Sequence, residues 1–137
     1  MIRIGMIPPG VSSRTYMQYP QPYPENLEAV VFGRDKHSVD VQTAHKMVQD
    51  DGYAIVDVRT PIERREGHPP GSKHLMLDAI PRYTNTLEDT KVLAICRTGN
   101  RSGSAVRYLR GQGIEAINVK GGMVAWARAG LPIKKGK

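Results

Sequence analysis

Val92-Leu93-Ala94-Ile95-Cys96-Arg97-Thr98-Gly99-Asn100-Arg101-Ser102 (VLAICRTGNRS) runs from four consecutive apolar residues straight into a cysteine, two arginines and a glycine. A short, unbroken apolar run reads as a strand buried on both faces, the habit of parallel sheets covered by helices. The strand is expected over Lys91 to Ile95. Beyond the loop, Ala105, Val106 and Leu109 mark one face of a helix starting near Ser102 to Ser104 and stopping at Gly111 to Gly113; Ala116 to Val119 then forms a short strand.

The same alternation continues on both sides. Upstream, Asp40 is a plausible N-cap for a helix in which Val41, Ala44 and Val48 recur at helical spacing, and Asp50-Asp51-Gly52 ends it. Tyr53 to Val58, YAIVDV, is another buried strand. Downstream, a last helix follows Gly121-Gly122 with Met123, Trp126 and Ala127 on one face, Gly130 as C-cap and Pro132 just beyond. Alternating strands and helices predict an α/β domain with a mainly parallel central sheet flanked by helices on both faces. Sites in such folds lie beyond the carboxyl ends of the strands, where Asp57-Val58-Arg59 and Cys96 both fall.

A thiol becomes a competent nucleophile as the thiolate, which a helix N-terminus and neighbouring cations favour. The cysteine loop supplies both: backbone N–H groups can turn inward around the sulfur, Gly99 permits the turn, and Arg97 and Arg101 add positive charge. The same cradle would hold an oxyanion. A structural cysteine would belong inside the apolar run, whereas Cys96 is the first residue after it. A reactive role is therefore the expectation.

CRTGNRS, the upstream VDVRTPIERREGHPPGS and the final GGMVAWARAGLPI together resemble the three signatures of the single-domain rhodanese, or thiosulfate sulfurtransferase, family, in order over residues 38–133. The resemblance implies a parallel-sheet domain whose cysteine takes a sulfane sulfur from thiosulfate or a related persulfide donor. Cys96 would hold it as a persulfide and pass it to cyanide, a thiol or a sulfur-carrier protein, with no cofactor. By the same resemblance, the amides of Arg97, Thr98, Gly99, Asn100, Arg101 and Ser102 surround the outer sulfur, and the two arginine side chains attract the dianionic donor. Two positions depart from the family pattern: Arg64 stands where an aromatic often follows the acid, and Pro69 follows His68 where an apolar residue is usual.

The supporting residues follow from placement. Asp57 is expected to accept hydrogen bonds from loop amides and so brace the cradle, the alternative being an ordinary strand-end carboxylate paired with Arg59. By the resemblance, His68 matches a histidine that the family places in a turn and is assigned a structural role; His37, His45, His68 and His74 show no metal-ligand spacing with the one cysteine. Trp126 is expected in the core, and Lys120 is a possible outer cation of the site.

Two rival functions remain. A cysteine phosphatase or arsenate reductase also sets a thiolate in an anion loop, but the phosphatase loop has five residues between cysteine and arginine, and the position where that arginine would stand is Ser102. The other rival is a catalytically silent rhodanese-like binding or regulatory module, which the retained cysteine argues against.

The whole chain, 137 residues with a net charge of +7, suits one domain with a substantial core. The positive charge could serve nucleic acid or small anions. No basic run with interleaved aromatics appears, so small anions are the expected partners rather than nucleic acid. One cysteine rules out an internal disulfide, and MIRIGMIPPG lacks the apolar core of a signal peptide, so a cytoplasmic, reducing setting is expected. No segment approaches the roughly 20 apolar residues of a membrane span. Residues 1–37 read as a proline-rich arm, with Leu27 to Phe32 as a candidate strand and the arm as a candidate homodimer contact. Residues 134–137 read as a basic tail.

Overall fold

The computed structural model describes residues 37–136. They form β1 (Ser38–Val39), α1 (Val41–Asp50), β2 (Ala54–Asp57), α2 (Pro61–Glu66), β3 (Lys73–His74), α3 (Ile80–Tyr83), β4 (Val92–Ile95), α4 (Asn100–Gly111), β5 (Ala116–Val119) and α5 (Gly122–Arg128), with short 3-10 turns at Leu77–Ala79 and Thr84–Leu87. The five strands lie in the order β1-β5-β4-β2-β3, and every neighbouring pair is parallel.

β4 is central, and its four residues are all buried. Successive side chains of a strand face opposite sides of the sheet. Leu93 and Ile95 therefore join Met47 of α1 and Met123 and Trp126 of α5, while Val92 and Ala94 join Ala105, Val106 and Leu109 of α4. This two-sided burial is the physical reason for the unbroken apolar run. Each fully buried Val, Leu or Ile contributes on the order of 1.5–3 kcal/mol to the core. Cys96 keeps the parity of Val92 and Ala94 and packs in the α4 cluster, so its sulfur leans toward α4.

Local signals set the helix ends. The Asp40 carboxylate accepts from the Thr43 N–H at 2.7 Å, as the N-cap reading required. At α2, Thr60 and Glu63 form a reciprocal capping box with Pro61 at the first helical position. α4 begins at Asn100, earlier than the expected Ser102 to Ser104, because Gly99 adopts φ +106° and turns the chain into the helix at once. The cradle is thus four loop residues plus the first helical turn.

α2, β3 and α3 are too short for a periodic pattern and carry no expectation in the sequence. Lys134 pairs antiparallel with His68, and the Gly136 N–H donates to the Arg65 carbonyl at 2.9 Å, so residues 134–136 of the basic tail run back along the end of α2. The expected strand over Leu27–Phe32 and the dimer contact of the arm lie outside the described residues.

Candidate active site

From β2 the chain moves outward to β3, and from β4 it moves the other way to β5. The loops leaving β2 and β4 diverge, opening a crevice at the carboxyl edge of the sheet between them. Cys96 leaves β4 at that point, and Asp57 is the last residue of β2.

Cys96 is buried, and its Sγ accepts from the Gly99 N–H at 3.0 Å and from the Ser102 hydroxyl at 3.3 Å. Burial pushes the thiol pKa up; hydrogen bonds from the Ser102 hydroxyl and from the Ser102, Gly99 and Thr98 amides outweigh it and leave the net value below that of an ordinary cysteine. The two arginines are secondary to these hydrogen bonds.

Asn118 of β5, which the sequence reading passed over, holds both donors. Its Nδ2 donates to the Gly99 carbonyl at 3.1 Å, and its Oδ1 accepts from the Ser102 hydroxyl at 2.5 Å. Ser102 has one proton and two acceptors, Sγ and Oδ1, so its hydroxyl turns toward the sulfur when the thiolate forms. The register of β5 beside β4 brings the amide there, and a polar residue in an otherwise apolar strand, AINV, was the available signal.

The other side of the loop is pinned by α5. The Met123 and Val124 N–H groups donate to the Cys96 and Arg97 carbonyls at 2.8 and 3.1 Å. Gly122 has φ +56°, and a Cβ there would run into those same carbonyls, so glycine is required for the approach.

One expectation is corrected. Asp57 accepts no hydrogen bond from the cysteine-loop amides. It takes the Arg59 N–H and Nε–H at 3.1 and 2.9 Å, Arg59 Nη2 at 2.8 Å and Arg64 Nη1 at 3.5 Å. The reason is position: Asp57 is fully buried, a bare carboxylate there is costly, and Arg59 is the nearest cation. Arg59 also donates to the Gly67 carbonyl at 2.6 Å, so the pair ties β2 to the α2 loop. Arg64, the departure from the family pattern, additionally donates to the Ser72 carbonyl at 2.7 Å. The two terminal nitrogens of Arg101 donate to Glu63, at 2.8 and 2.7 Å.

Arg97 is exposed, and among the described residues nothing pairs with its guanidinium. Thr98 and Asn100 are exposed at the mouth. Lys120 is exposed and lines a surface groove with Thr98, Gly121 and Arg128. His68 is buried with Nδ1 against the Arg64 carbonyl at 2.9 Å, and His74 sets Nε2 against the Arg59 carbonyl at 2.7 Å, so both imidazoles brace the α2 region. Trp126 is core, with its Nε1–H donating to the Pro132 carbonyl at 2.8 Å. Among the described residues no group of three His, Cys, Asp or Glu side chains could hold a metal ion, and no helix is long and apolar enough to cross a membrane.

Comparison with known proteins agrees with this geometry. The rhodanese-like domain family matches residues 40–129, from the cap of α1 to the end of α5. The chain belongs to the rhodanese-like family. A sulfurtransferase of Allochromatium vinosum is 38% identical over 92 residues, covering 66% of this chain and 86% of the relative. A rhodanese-like domain protein of Staphylococcus aureus superposes with a TM-score of 0.64 at 36% identity, covering 72% of this chain and 99% of that one. A Rhodopseudomonas palustris protein described as of unknown function and a possible tyrosine phosphatase superposes with the same TM-score of 0.64 at 27% identity, covering 69% of this chain and 82% of that one. The rhodanese fold thus carries more than one suggested cysteine chemistry, and the choice between them rests on the loop.

Proposed function

We propose that this protein is a sulfurtransferase that carries a sulfane sulfur as a Cys96 persulfide, taking it from thiosulfate or a related donor and passing it to cyanide or a thiol. One observation carries the reading: the lone thiol sits at the sheet's switch point with Gly99 N–H and Ser102 O–H aimed at its sulfur. Both donors stabilise the thiolate and remain positioned for the anionic sulfur of a persulfide.

The chemistry balances without a general acid. The Cys96 thiolate attacks the outer sulfur of thiosulfate, the S–S bond breaks, and sulfite departs with the bonding pair. Cyanide then attacks the outer sulfur of the persulfide, leaving as thiocyanate and restoring the thiolate. The nearby imidazoles, engaged with backbone carbonyls, are not needed. The reading fits a reducing compartment such as the cytoplasm, which keeps a resting thiol from being oxidised between turnovers. A small anionic donor and a thiol acceptor, free or on a carrier protein, are its partners.

Intact mass under non-reducing conditions tests this directly, before and after thiosulfate, on wild type and Cys96→Ser. One added sulfur, removed by cyanide or dithiothreitol and absent from the variant, is expected. An unmodified, folded and reduced wild type after thiosulfate and other sulfane donors would overturn the reading. The Rhodopseudomonas palustris relative motivates a second assay, aryl phosphate hydrolysis dependent on Cys96, for which no activity is expected.

A further inference from the structure

The cations around the cradle are largely spoken for. Arg59 and Arg64 face Asp57 at 2.8 and 3.5 Å, and Arg101 presents its forked end to Glu63. Arg97 lacks a partner among the described residues, as does Lys120 at the outer edge of the site. Glu63 is also not free to swing away, because Thr60 holds it: its Oε1 accepts from the Thr60 hydroxyl at 3.0 Å, and its own N–H donates to the Thr60 Oγ1 at 3.4 Å. A fixed carboxylate therefore occupies the bidentate face of the loop arginine, the face that would otherwise fork onto two oxygens of an oxyanion.

From this juxtaposition we infer that Glu63 is a specificity-determining residue that tilts the site toward sulfane donors carrying one negative charge and against dianionic thiosulfate. The inference rests on the sulfurtransferase reading and refines it by donor charge. Coulomb interaction scales with the product of the charges, so one fixed negative charge penalises a dianion twice as much in free energy as a monoanion. The Gly99 N–H and the Ser102 hydroxyl act on the attacking Sγ, which is the same for both donor classes, so the discrimination comes from the rim.

Methanethiosulfonate is the matched probe: it offers the same electrophilic sulfur with one negative charge, and the Cys96 thiolate takes that sulfur while methanesulfinate leaves with the bonding pair. The second-order rate of sulfur gain on Cys96, read by quenched-flow intact mass, is measured with each donor on the full-length wild type, Glu63→Gln and Glu63→Asp. Taking a separation of about 8 Å and a dielectric of about 80, removing one charge changes the rate roughly 2.4-fold for each charge on the donor. Glu63→Gln is expected to speed thiosulfate about sixfold and methanethiosulfonate about 2.4-fold, raising their ratio about 2.4-fold. Glu63→Asp should keep the wild-type ratio, and about 1 M salt should collapse the difference. If the glutamine variant fails to fold, Glu63→Ala reads the same ratio. Equal factors for both donors, or a joint fall from a loosened loop, overturn the inference. Failure of the wild type to gain sulfur from either donor would instead overturn the sulfurtransferase reading.

Discussion

Replacing Ser102 with alanine removes the one side-chain hydrogen bond to Sγ while leaving the Gly99 N–H in place. A hydrogen bond to a charged group contributes about 1.5–3 kcal/mol. The low end applies, because the Asn118 carbonyl competes for the same proton at 2.5 Å. About 1.4 kcal/mol corresponds to a tenfold smaller thiolate fraction at a pH below the thiol midpoint. The remaining thiolate is more nucleophilic, with a Brønsted slope near 0.4–0.5, so alkylation at a pH well below the midpoint should slow by only about three- to fourfold. The assay is iodoacetamide alkylation followed across pH by intact mass; Cys96 is the only cysteine, so every adduct reports on it. The midpoint of the profile should move upward while the plateau rate at high pH rises. A midpoint that stays or falls, in a folded variant, would refute the claim that Ser102 stabilises the thiolate.

Three further outcomes are expected. The Arg101 hydrogen bonds hold Glu63 at about 2, below its ordinary 4.5, so the folded state gains stability above pH 4.5 and loses it as pH falls toward 2; urea midpoints should drop over that window in wild type and less in Glu63→Gln. Arg59→Met strips the closest partner from a fully buried Asp57 and should cost about 3–5 kcal/mol by urea denaturation, with Asp57→Asn added in the double variant restoring part of it; a loss under about 1 kcal/mol would sink the argument. Gly122→Ala drives a methyl into the Cys96 and Arg97 carbonyls, so it should lower sulfur transfer sharply and cut stability, measured by persulfide formation and thermal melting.

The sequence by itself determined the layered α/β plan, because burial on both faces of a central strand demands an unbroken apolar run, and Val92 to Ile95 supplied it. The capping chemistry of Asp40 was legible for the same local reason. It also located the lone thiol, since a cysteine directly after such a run stands at the carboxyl edge of the sheet. Local patterns carry no information about partners that meet only through sheet order. Glu63 and Arg101 are 38 residues apart, and Asn118 reaches Gly99 and Ser102 across 19 and 16 residues from the neighbouring strand. The tertiary structure decided that Asp57 serves Arg59 and not the loop, because a buried carboxylate takes the nearest guanidinium. It decided equally that α5 grips the cysteine carbonyl, which required Gly122 to bring two backbones into contact. Residue identity named the candidate cysteine; the order β5-β4-β2 chose the groups around its sulfur.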